Sequence, residues 1–103
     1  MAAPPVTPVA GLASSVASGG TPVTVAPGGI NGGFIANPAN ASDQGLGSAE
    51  DLFVSPVGAA STTGNGSTFR IVPGASWQMI TGQTTPTSVN AVSSGHAFSV
   101  IYF

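Results

Sequence analysis

Apolar residues recur along this chain at every second position in short runs, and no stretch spaces them as one face of a helix would. The clearest run is the last. Ala97 to Phe103 puts Phe98, Val100 and Tyr102 on one side and Ser99, Ile101 and Phe103 on the other. Large apolar residues on both sides predict a strand covered on both faces. Thr21 to Ala26 alternates Val23 and Val25 with Thr24 and is closed by Pro27-Gly28-Gly29. Gly33 to Asn37 follows a turn at Asn31-Gly32-Gly33. Leu52 to Ser55 reads as a strand that Pro56 bars from a central position further on, with Val57 to Thr62 continuing along an edge. Thr68 to Val72, Ser76 to Ile80 and Thr87 to Val92 complete the set.

The punctuation between runs is specific. Gly64-Asn65-Gly66 predicts a hairpin, since Asn-Gly supplies the two positive φ angles of a type I′ turn. Pro38 to Gly47 is irregular and leads into Ser48-Ala49-Glu50-Asp51, a Ser-x-x-Asp cap that allows one helical turn there. Residues 21–103 therefore predict an all-β fold, a small antiparallel β-sandwich of jelly-roll or Ig-like type with seven or eight short strands. Residues 1–20 show no period, and Pro4, Pro5 and Pro8 favour an extended path. They read as an N-terminal arm able to reach on the order of 60 Å.

Composition changes the picture from a free-standing domain to a subunit. Charged residues make up 4% of the chain, against roughly 25% in ordinary soluble domains. Charge keeps proteins apart, so a surface built on Ser, Thr, Asn, Gln and Gly suits an assembly or an extracellular β-module. A single Arg argues against nucleic acid as a partner. No apolar run approaches the roughly 20 residues that span a membrane. The absence of Cys removes disulfides, thiolate metal sites and cysteine nucleophiles together. No basic residue precedes the prolines near the start, which argues against a signal peptide. The large apolar residues are few for a sandwich, so burial between subunits is expected to supplement the core. Pro4, Pro5 and Pro8 on the arm, with Ile101 and Phe103 on the last strand, are the candidate interface.

The candidate chemistry is sparse. Asp43, Glu50 and Asp51 cluster near Asn37 and Asn40, but their spacing matches no calcium loop. Glu50 and Asp51 are adjacent, and neighbours on a strand point to opposite faces, which is wrong for a paired-carboxylate glycosidase. One of the two is expected to pair with Arg70 and the other to cap a turn. His96 lacks the partners of a triad or a metal site and reads as a hydrogen-bonded strand residue. Trp77, with Met79 on the same face, reads as core. No catalytic, cofactor-binding or metal residue is expected, and the chain does not read as an enzyme. An extracellular carbohydrate-binding or adhesin module is the alternative, and it would need aromatic rings displayed on one face.

Gly33-Phe34-Ile35-Ala36-Asn37-Pro38, Asp43-Gln44-Gly45, Ala49-Glu50-Asp51-Leu52-Phe53-Val54, Pro73-Gly74 and Ser94-Gly95-His96-Ala97-Phe98 together resemble a group of small phage and prophage virion proteins. The resemblance covers roughly residues 30 to 103 and rests on the pattern of turns and strands. It implies a compact all-β, non-enzymatic subunit located in the virion. Its expected partners are a major capsid protein, other virion proteins or its own copies, in a decoration, cement, spike-base or head-tail role.

Overall fold

The computed structural model describes residues 5–103. One four-stranded antiparallel sheet runs in the order β1 (Val9–Ala10), β10 (Ser99–Tyr102), β4 (Gly33–Ala36), β7 (Ser76–Met79). The other runs β3 (Val23–Ala26), β8 (Thr87–Asn90), β5 (Leu52–Ser55), β6 (Phe69–Ile71). A short ribbon of β2 (Ser15–Val16) and β9 (His96–Ala97) joins them at one end.

Residues paired across an antiparallel ladder share a face, so the register identifies the core. In the first sheet Val100, Ile35 and Trp77 form one inward row, and Tyr102, Gly33 and Met79 another. In the second, Val23, Val89, Val54 and Phe69 lie in line, with Leu52 opposite Ile71 beside them. Ile35, Met79, Leu52, Val54, Val89, Ile71 and Phe98 merge into one buried cluster, which makes the pair of sheets a small β-sandwich. At the open edges of β6 and β7 the Phe69 and Trp77 rings meet, centroids 4.7 Å apart and tilted by 31°.

Four expectations are corrected. Residues 9–20 are not a separate arm. Backbone hydrogen bonds lay them antiparallel along residues 91–102 of the same chain, from Val9 opposite Tyr102 to Gly20 N–H donating to Ala91 O. Val16 anchors this strap and is fully buried. Pro5 and Pro8 are exposed at its start, and Pro4 lies outside the described residues. Second, the final strand is divided. β9 pairs with β2 and β10 with β1 and β4, and the switch falls at Phe98, whose N–H donates to Ser14 O. These two changes raise the strand number to ten among the described residues.

Third, Asn65-Gly66 is no type I′ turn and Val57 to Thr62 is no edge strand. No residue other than glycine has a positive φ among the described residues, so Asn65 cannot supply the first of the two angles. Residues 56–68 instead fold back over the outer face of the second sheet. Asn90 Nδ2 donates to Ala60 O at 2.9 Å, and Ala60 N–H donates to Ser88 Oγ at 3.0 Å. Fourth, the helical turn is α1 (Ala41–Gln44), ahead of the Ser48 cap. Asn40 Oδ1 accepts from Asp43 N–H, and Gly45 ends the turn in the left-handed conformation at φ 74°.

Candidate interaction surface and buried polar network

The outer faces of the two sheets differ. The second is covered by its own loop, residues 56–68. The first is bare. Ala10, Ile101, Phe34 and Gln78 are paired in sequence across its four strands and form one outward row, and Ser99, Ala36 and Ser76 form the next. Phe34 is 45% and Ile101 41% exposed, which for large apolar side chains in mid-sheet marks an uncovered face. None of the four strands contains a charged residue. Ile101, a candidate interface residue, is exposed on this face. Phe103 is half-buried: its backbone pairs with Gly32, and its ring packs over the space a Gly32 side chain would occupy. Phe34 joins Ile101 through the register, a neighbour that the strand of residues 97–103 alone does not reveal.

The polar residues gather elsewhere. Arg70 Nε lies 3.4 Å from Asp51 Oδ2, and its guanidinium sits 5.6 Å from the centroid of the Phe53 ring. Glu50 does not share this contact; its Oε2 accepts from Ser93 Oγ at 2.7 Å. Both partners of the ion pair reach solvent, so Arg70→Ala is expected to lower stability by no more than about 1 kcal/mol in a urea titration. A larger loss would assign the pair a structural weight its exposure argues against.

Behind these carboxylates lies a buried network that spans the chain. Asn37 Nδ2 donates to Glu50 O at 3.0 Å and Ile71 O at 2.8 Å, which fixes the orientation of the amide. Its Oδ1 therefore accepts from Gln44 Nε2 at 3.0 Å and from His96 Nε2 at 2.9 Å. Gln44 Oε1 accepts from Glu50 N–H. Asn37, Gln44 and His96 are all buried. This assignment places the His96 proton on Nε2 and leaves Nδ1 buried and without a hydrogen-bond partner among the described residues. Burial holds the imidazole below its ordinary pKa of 6.5, against the opposing pull of Glu50 and Asp51.

Among the described residues no three His, Cys, Asp or Glu side chains converge as a metal site, and no helix is long and apolar enough to cross a membrane. Trp77 is half-buried beside Phe69, with its indole nitrogen shielded, and is not displayed as a sugar platform. No family model matches the chain, and no curated protein or solved structure matches it significantly.

Proposed function

We propose that this protein is a non-enzymatic structural subunit whose bare sheet face packs against its own copies or against a larger protein assembly. The observation that carries the reading is the uncharged outward row of Ala10, Ile101, Phe34 and Gln78. Apolar contact there requires no desolvation of charge, and two copies present the same surface to each other. The virion role implied by the resemblance is the finer form of this proposal: decoration, cement or spike base on a phage capsid, with capsid protein as partner. The sparse charge of the whole chain supports it.

A double substitution, Phe34→Thr with Ile101→Thr, tests it; both keep strand propensity and place no like charges opposite each other across the β4–β10 ladder. Surface changes of this kind shift stability by about 0.5 kcal/mol each or less. The variant is expected to melt near the parent while sedimenting as a monomer and no longer co-sedimenting with assembled particles. An unchanged sedimentation profile and particle occupancy would reject the face as the interface.

A further inference from the structure

The N-terminal strap and the buried histidine meet at one place. His96 is one of the two residues of β9, and Val16 of β2 pairs directly with it. On its other side His96 is tied through Asn37 to α1 by Gln44 and to the start of β5 by Glu50 O. We propose that His96 is an acid-sensitive latch: neutral, it keeps β9 seated and the strap of residues 9–20 closed, and protonation at Nδ1 releases the strap.

The chemistry follows from the tautomer. With Nε2–H committed to Asn37 Oδ1, a second proton enters at Nδ1, which has no acceptor and no exposure. A charged ring with one unsatisfied N–H is expensive in a dry interior. The groups that face it are few. β2 brings no ionisable side chain, and α1 brings only Asp43, which is exposed. Glu50 and Asp51 are the two carboxylates that attract the charge, and each is already engaged, with Ser93 and Arg70 respectively.

Relief requires something to move, and the strap is the layer whose strand β2 pairs directly with β9. Its ribbon with β9 is two residues long, and Val16 is the single fully buried side chain it contributes. The sign is fixed by the direction of the shift. Once the ring is released, His96 titrates near its ordinary value of 6.5, whereas the latched ring refuses the proton until lower pH. The latch is fully stable above about pH 6.5 and weakens as pH falls below it, by at most about tenfold per pH unit.

Native-state hydrogen exchange at about pH 7.5 and about pH 5, corrected for intrinsic rates, tests the latch. Protection of the Leu12, Gly20, Gly95 and Phe98 amides should fall by about tenfold or more, while Val54 and Val89 in the second sheet stay protected. His96→Gln retains a donor toward Asn37 and cannot titrate, so its protection pattern should not change with pH. Should that variant fail to fold, Ser15→Cys with Ala97→Cys provides the second arm. These residues are paired in register, and the chain has no other Cys. The oxidised strap should stay protected at about pH 5 and the reduced one should not. Three results would overturn the latch: no loss of protection at low pH, an equal loss across the whole chain, or a pH response that survives in His96→Gln or in the oxidised pair.

Discussion

Asn37→Leu is expected to be the most damaging single substitution outside the apolar core. Leucine approximates the volume of asparagine but offers nothing to hydrogen-bond. His96 Nε2–H and Ile71 O lose their partners in the interior, whereas Gln44 Nε2 keeps Pro38 O and Glu50 O. Each orphaned group costs about 1–3 kcal/mol, so the expected loss for the two is about 2–6 kcal/mol. That is a large share of the roughly 5–15 kcal/mol that holds a domain folded. Urea titration at neutral pH measures it. A double variant with His96→Leu should lose less than the sum of the single losses, because the second change removes an orphan the first created. A loss below about 1 kcal/mol for Asn37→Leu would show that the network is dispensable.

Gly33→Ala is the second large effect, for a steric reason. Gly33 sits in the middle of the first sheet, between Tyr102 and Met79. A Cβ there would stand 2.6 Å from Ile101 O, 2.7 Å from Met79 Sδ and 3.1 Å from Tyr102 Cα. The methionine tip can swing aside. The carbonyl and Cα of β10 cannot, unless the β4–β10 ladder parts. Overpacking of this kind costs about 1–3 kcal/mol. Thermal melts should show it as a fall of roughly 4–8 °C per kcal/mol lost. Unchanged melting would mean that β10 yields more freely than its central place in the sheet allows.

How much of this was legible in the sequence depends on what decides each element. β4, β5, β7 and β8 lie inside the runs that alternation and the flanking Pro and Gly residues mark out, because side-chain period and backbone punctuation are local signals. β1 and β2 are not local. Val9-Ala10 and Ser15-Val16 have no strand character of their own and become strands by pairing with the other end of the chain. The turn at Ala41–Gln44 was in reach of a capping argument, since Asn40 and Gly45 bracket it, but the Ser48 cap competed for the same reading.

The surface and the network illustrate two further limits. Apolar residues on both sides of the last strand were visible, and the natural inference was cover on both faces. Sequence cannot say which sheet the loop of residues 56–68 folds over. It covers the face of β5 and β8, and Ile101 and Phe34 remain outside. The Arg70 contact was readable because the chain contains a single Arg and three acids; that it falls to Asp51 is a matter of register, Arg70 lying opposite Phe53. Asn37, Gln44 and His96 were each noted or passed over as separate polar residues. Nothing in their spacing announces a shared hydrogen-bond centre, since His96 arrives from the far end of the chain.

The pairing of Val9 and Ala10 with Tyr102 and Ile101 also sets a timetable. A chain emerging from the ribosome can form the β5–β6 ladder early, because both strands are close in sequence. β4 lacks one neighbour until β10 appears, and β1 and β2 have no partner until β10 and β9 are made. Completion of the sandwich therefore waits for β10, and closing so long a loop is the slow kind of step in folding. Until then the β4 edge and its apolar residues stand open, and newly made chains are at their most adhesive before β10 is in place.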